Sequence, residues 1–427
     1  MMKIFKFGGA SVKDAESVKN VAKILSQHTD KETVVVISAM GKSTNAFEQV
    51  VDAYFDPKKN PNQPLATIRT WHFEIISQLF EQTHEVFASV NDIFVEIDWI
   101  LEEEPQESYD YIYDQIVSVG ELVSTKIVAA YLNKIGRTAQ WLDARDVVLT
   151  DNTHREAKVD WETTEKRMQE IVPPLSKKGI VITQGFIGST SENFTTTLGR
   201  EGSDFTAAIF AYCLNAKSMS IWKDVPGILT ADPRLFKNVT KIDRLSYREA
   251  IEMTYYGAKV IHPKTIKPLQ NKNITLYVKS FIEPAGSGTV ISANLESYYP
   301  PVIVVEKNQV LLHISTRNFS FVAEDNLSAI FLAFAKNRIK VNMMQNSAIS
   351  FSVCVDNKLR RIKGLLDDLK QDFKVLKDEN LELITIRHYK EEVIESLKIG
   401  KLVILEERIR NNAQIVVKNI PKIERVS

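Results

Sequence analysis

The chain has 427 residues, 44% of them apolar, and its 54 basic and 54 acidic side chains balance to a formal charge of zero. That length supports a sizeable core and two or three domains, and the balanced charge argues against nucleic acid or an anionic membrane as partner. Two distant cysteines, Cys213 and Cys354, fit core residues in a reducing compartment, and neither a signal-peptide core nor a bilayer-length apolar run is visible, so a cytoplasmic protein is expected.

Residues 4–7 predict a short strand, followed by Gly8-Gly9 and a helix reaching about Gln27. The wholly apolar run 33–37 predicts a second strand, of the kind buried in a parallel sheet, ending in a Ser38-Ala-Met-Gly41 loop and a helix from about Thr44. Strand, glycine loop, helix, strand opens an α/β fold, and such sheets bind ligands at the carboxyl ends of their strands. Residues 46–135 read as mostly helical, interrupted at 57–64 and by the acidic run 102–105, with Gly120-Glu121 inside the later helices. Strands are predicted at 138–142 and 179–183.

The stretch Thr195-Thr-Thr-Leu-Gly-Arg-Glu-Gly-Ser-Asp204 then gathers hydroxyls, glycines, an arginine and an aspartate before an apolar helix. Ser203 or Asp204 is expected to cap that helix, whose free N–H groups favour anions. Arg200 adds a planar fork suited to a carboxylate or phosphate. A strand at 218–222 leads into Lys223-Asp-Val-Pro-Gly227 and Asp232-Pro-Arg234; a helix at 247–256 leads into Gly257-Ala-Lys-Val-Ile-His-Pro263; and a strand at 274–278 is expected to close the sheet.

Fourteen of sixteen glycines precede residue 300, so close backbone approaches concentrate there, and Pro300-Pro301 marks a boundary. Beyond it, strands at 302–305 and 310–314, a helix at 326–337, strands at 340–344 and 349–355, a helix at 359–371 and a strand at 382–386 fit a βαββαβ unit. A helix at 391–397 and strands at 402–406 and 413–417 resemble part of a second copy.

Six blocks in order, Lys6-Phe-Gly-Gly-Ala-Ser11, residues 38–45, Gly120-Glu121, Thr197-Leu-Gly-Arg-Glu-Gly-Ser-Asp204, Asp224-Val-Pro-Gly227 with Asp232-Pro-Arg234, and Gly257-Ala-Lys-Val-Ile-His-Pro263, resemble the aspartate kinases of the amino-acid kinase family. The resemblance implies a three-layer α/β/α catalytic domain over 1–299. It also implies an ACT-like α+β regulatory domain over 300–388 and a partial second unit over 389–427. Its reaction would be phosphorylation of L-aspartate by ATP to 4-phospho-L-aspartate, the first step towards lysine, threonine and methionine. Neither a P-loop nor a G-x-G-x-x-G fingerprint is present.

That chemistry brings two anions together, so positioning and charge neutralisation suffice, and an ionised carboxylate needs no general base. By resemblance, Lys6 and Asp204 are catalytic. Gly8, Gly9, Ser38, Thr44, Glu121, Arg200 and Ser203 would hold aspartate, with Glu121 on its ammonium and Arg200 on a carboxylate. Lys6, Lys223, Asp224, Leu229, Arg234, Lys259 and Val260 would hold ATP. Mg²⁺ would bridge the phosphates without a dedicated protein metal site. Asn342, Gln345, Asn346 and Ser347 match a polar strand that lines an effector site for lysine or threonine, and the same region would carry dimerisation.

Four positions depart from the family pattern: Ala10 for threonine, Glu201 for glycine, Lys223 for a small hydroxyl residue and Leu229 for an aromatic. Ala10 and Glu201 motivate one alternative, a catalytically silent amino-acid sensor or dimerisation scaffold; a second is a sibling kinase with another acceptor, against which the Glu121 and Arg200 blocks argue.

Overall fold

The computed structural model describes residues 2–28, 32–258, 261–293, 298–317 and 321–420. They form two compact units. The first comprises Met1–Ile228, Lys241–Thr254 and Lys259–Ser297, and the second Leu229–Thr240, Tyr255–Ala258 and Tyr298–Ser427.

The strands of the first unit are β1 (Lys3–Phe7), β2 (Thr33–Ile37), β3 (Ala139–Leu142), β4 (Ile180–Gln184), β5 (Ile187–Ser189), β6 (Thr195–Thr197), β7 (Ser218–Lys223), β8 (Arg244–Ser246), β9 (Thr275–Ser280) and β10 (Thr289–Ser292). Eight of them form one sheet in the order β3-β4-β2-β1-β7-β9-β10-β8. Its neighbours pair in parallel except β9 with β10. Every residue of β2 and β4 is buried, which requires cover on both faces and explains the unbroken apolar run at β2. Helices Val119–Lys134, Trp161–Lys178 and Gly202–Cys213 supply part of that cover, giving α/β/α layers.

Two expectations need correction here. The strand at 274–278 does not close the sheet, because β10 and β8 lie outside it. A helical stretch long and apolar enough to cross a bilayer does exist, Tyr109–Lys134, but most of it is buried inside the protein, so it is a core element. The glycine pair also leads into a short 3₁₀ turn, Gly9–Val12, before the helix Ala15–His28 begins.

The second unit is built on β11 (Val302–Thr316), β12 (Val341–Asn346), β13 (Ser350–Asp356), β14 (Phe373–Arg387), β15 (Lys401–Ile409) and β16 (Asn412–Asn419). They form one antiparallel sheet in the order β12-β13-β11-β14-β16-β15. Helices Glu324–Lys336 and Leu359–Leu369 interleave with the first four strands in the βαββαβ order, and Glu391–Lys398 precedes the last two. The predicted strands at 302–305 and 310–314 are one strand with register shifts between Glu306 and Gln309 and between Gln309 and Leu311. The polar interruption is a bulge in a continuous strand. The strand predicted at 382–386 starts nine residues earlier, at Phe373.

Candidate active site

The site grows from β1. Phe5 and Phe7 are buried on either side of Lys6, and Phe7 stacks on Trp222 of β7 with ring centroids 5.8 Å apart. That packing fixes the strand and carries Lys6 itself into the interior, only 8% exposed. An interior lysine needs an anion. Asp204 supplies it: Lys6 Nζ lies 2.7 Å from Asp204 Oδ1, and Lys223 Nζ, from the end of neighbouring β7, lies 3.6 Å from Oδ2. Burial pushes the Asp204 carboxyl up, but the charges of Lys6 and Lys223 outweigh it and hold it below the ordinary aspartate value. Two lysines from adjacent strands thus face the one Asp204 carboxylate.

Asp204 stands in the first turn of Gly202–Cys213. The expected cap at Ser203 or Asp204 is not what forms. The residue before the helix is Glu201, in the left-handed region at φ 54°, and its side chain makes no capping bond. This is a conformation glycine adopts without strain. The helix start fits tightly onto the end of β4: a Cβ added to Gly185 would lie 2.4 Å from Ser203 Cβ. Ser203 is buried there, whereas Arg200 is fully on the surface.

The glycine pair and the 38–41 loop form the opposite wall. Gly41 N–H donates to Gly9 O at 3.0 Å, and a Cβ on Gly9 would meet Gly41 O at 2.6 Å and Ala39 O at 2.7 Å. A Cβ on Gly8 would stand 3.4 Å from Lys6 Nζ. Ser38 O accepts from Ser124 Oγ at 2.7 Å, while Thr44 is half-buried in the helix Ser43–Tyr54.

Gly120 is explained by packing. A Cβ there would meet Phe47 Cε2 at 3.1 Å and Ala39 Cβ at 3.2 Å, so only glycine lets the helix come this close to the loop. The approach delivers Glu121, 3% exposed, to the Ala39 N–H, and leaves its Oε2 buried with no hydrogen-bond partner among the described residues. Burial pushes the Glu121 carboxyl up to about 8, against the opposing pull of the Ala39 N–H and Lys6. A buried carboxylate oxygen lacking a donor costs stability and marks a place for a cationic group.

The nucleotide-side residues divide. Lys223 joins Asp204, and exposed Asp224 follows it. Leu229 and Arg234 belong to the second unit, where Arg234 grips Asp232 at 2.6–3.2 Å. Lys259 and Val260 lie outside the described residues. On the strand proposed for an effector, Asn342 donates to Gln309 Oε1 and Asp356 Oδ1, both at 3.0 Å; Gln345 and Asn346 are exposed on the outermost strand, and Ser347 pairs with Ser350 at 2.7 Å.

A polar scaffold that leaves no local pattern in the sequence stands behind these residues. Buried Gln184, at the end of β4, accepts from Ala144 N–H at 2.6 Å and donates to Thr125 Oγ1 at 2.7 Å, one turn along the helix from Glu121. Asp114, fully buried, gathers donors around the 195–204 segment. No local motif flags either residue; the apolar neighbours of Asp114 on Tyr109–Val117 were its one signal.

The family profile described as the amino acid kinase family matches residues 1–280. The chain belongs to the amino acid kinase family. Within it, the chain groups with the aspartokinases. Lysine-sensitive aspartokinase 3 of Escherichia coli (strain K12) is 32% identical over 394 residues, covering 90% of this chain and 86% of that one. Chloroplastic aspartokinase 3 of Arabidopsis thaliana is 32% identical over 368 residues, covering 83% of this chain and 64% of that one. The crystal structure of E. coli aspartokinase III in complex with aspartate and ADP (R-state) superposes with a TM-score of 0.84 at 28% identity, over 98% of this chain and 96% of the other. The complex of that enzyme with lysine and aspartate (T-state) gives 0.81 at 29% identity, with the same coverage.

Proposed function

We propose that this chain is an ATP-dependent aspartate kinase. The observation that carries the reading is the Lys6–Asp204–Lys223 cluster, with Lys6 and Asp204 buried, beside a Glu121 oxygen that has no hydrogen-bond partner among the described residues. The substrate's side-chain carboxylate oxygen attacks the γ-phosphorus of ATP. One oxygen–phosphorus bond forms, the bond from the γ-phosphorus to the bridging oxygen breaks, and ADP leaves with that electron pair. The nucleophile is already an anion, so no proton has to be removed. What the protein supplies is fixed positive charge and orientation.

Lys6 places its charge on the transferring phosphoryl group, and Asp204 keeps Lys6 aimed. Gly8 leaves room beside Lys6 Nζ for substrate or phosphate oxygens to reach the backbone, and Gly9 lets the 38–41 loop pack against it. Glu121 accepts the substrate ammonium, which supplies the donor its Oε2 lacks. Arg200 pairs with a substrate carboxylate, with Ser203, Ser38 and Thr44 completing the polar wall. Asp224, Leu229, Arg234, Lys259 and Val260 remain assigned to the nucleotide by family resemblance.

No group of three His, Cys, Asp or Glu side chains among the described residues is arranged to hold a metal ion. By family resemblance, Mg²⁺ would be held through the nucleotide phosphates, whose charge it would neutralise. The named E. coli relative is lysine-sensitive, and we assign lysine as effector of this chain at Asn342, Gln345, Asn346 and Ser347, with dimerisation through the same unit.

A hydroxamate trap with ATP, Mg²⁺ and a panel of acceptors tests the reading. Acyl phosphate from aspartate is the expected product. Product only with another acceptor would point to a sibling kinase, and none at all to a silent sensor.

A further inference from the structure

Three segments distant in sequence meet at one buried carboxylate. Asp114 lies on the helix Tyr109–Val117 and is 0% exposed. Its Oδ1 accepts from Thr197 Oγ1 at 2.6 Å, and its Oδ2 accepts from Arg155 N–H at 3.0 Å and lies 2.9 Å from His154 Nδ1. Thr197 ends β6, three residues before Arg200 and seven before Asp204. Its own carbonyl accepts from Ala157 N–H at 3.0 Å, so the 154–157 turn is tied to β6 as well as to Asp114.

The backbone held this way is one that local preference would not choose. Arg155 at φ 69°, Gly199 at φ 75° and Glu201 at φ 54° all sit in the left-handed region, and a Cβ on Gly199 would lie 3.2 Å from Arg155 O. Strained non-glycine residues persist only where surrounding contacts over-determine them. Here Arg155 is bonded directly to Asp114, and Gly199 packs against the Arg155 carbonyl. A buried carboxylate with a full set of donors is a rigid node, because each donor it lost would leave a desolvated charge.

We propose that Asp114 is a positioning residue for the kinase reaction: through Thr197 and Arg155 it fixes the 195–204 segment, so that Arg200 and Ser203 are presented to the acceptor carboxylate at a constant place relative to Asp204. The inference rests on the aspartate-kinase reading for its substrate and on geometry for the node. It predicts an effect confined to the acceptor side. The nucleotide-side residues on β1 and β7 take no bond from Asp114 among the described residues.

Asp114→Asn keeps the shape and removes the charge, replacing one acceptor oxygen by an NH₂ that faces donors. The expected result is a KM for aspartate raised between about tenfold and a hundredfold. The KM for ATP stays within about twofold of wild type, and amide hydrogen exchange quickens across residues 195–204. Thr197→Val, which removes a single donor, shifts the same quantities less and covers the case in which Asp114→Asn does not fold. A purely structural role would lower the melting temperature and leave the aspartate KM at its wild-type value. That result, or exchange in 195–204 at the wild-type rate, overturns the proposal. If the wild-type protein makes no acyl phosphate from aspartate, the function reading fails by itself, and the exchange measurement alone decides the node.

Discussion

The carboxyl edge of the parallel sheet and the outer edge of the antiparallel sheet are both lined by polar residues, yet they are polar in different ways. At the first edge Lys6, Asp204 and Glu121 are buried: two lysines face one aspartate, and Glu121 keeps an oxygen without a donor among the described residues. At the second, Asn342 and Ser347 are satisfied within the chain, while Gln345 and Asn346 stand in solvent. Desolvated polar groups without partners cost stability and are retained where a ligand completes them; solvated or paired ones cost nothing and signify less. The first edge thus declares a ligand of stated charge by its own physics. The second depends on resemblance to assign one.

The comparison is broken most decisively at its strongest point. Asp204→Ala removes the anion that holds Lys6 and Lys223, and acyl phosphate formation should fall at least about a thousandfold, as losses of preorganised charge do. Lys6→Ala should do the same. Near-normal turnover in a folded variant of either would refute its role.

Glu121→Gln comes next. Removing the carboxylate charge should raise the KM for aspartate by about ten- to a hundredfold, since hydrogen bonds to charged groups are the strong ones. In the wild type, the free-protein carboxyl, pushed up to about 8, must ionise to receive an ammonium. The aspartate KM should therefore fall as pH rises from 6.5 to about 8, and this slope should vanish in Glu121→Gln. The same raised value means that Glu121 contributes its stability in full below about pH 4.5 and loses it as pH rises through about 8.

Smaller effects sharpen the contrast. Glu201→Gly relieves a left-handed residue and should add about 0.5–1 kcal/mol of stability, read as a higher melting temperature. At the second edge, Gln345→Ala should change stability by less than about 0.5 kcal/mol, the usual result at an exposed site. It should nonetheless raise the lysine concentration needed for half inhibition; an unchanged lysine response, or none in the wild type, would remove the effector assignment.

What the sequence disclosed follows the range of the interactions. Lys6, the glycine pair and Asp204 were legible because a strand end, a close backbone approach and a helix start each leave a short local pattern. Asp114 was not, because its partners lie 40, 41 and 83 residues away and nothing beside it in the chain announces them. The cap was misplaced because Glu201 takes a conformation its side chain disfavours, a choice imposed by tertiary contacts. β11 was read as two strands because a bulge and a turn share the same polar residues, and only the partner strand distinguishes them.

The course of the chain carries one last consequence. The polypeptide passes between its two units five times, because Leu229–Thr240 and Tyr255–Ala258 fold with the C-terminal unit and are flanked on both sides by the N-terminal one. No single scissor cut, at Pro300 or anywhere else, yields two whole parts. A gene shortened to its first three hundred codons would keep Leu229–Thr240 and Tyr255–Ala258 but lose the strands they fold with, leaving Thr230 O without Ile303 N–H and Tyr255 O without Lys340 Nζ.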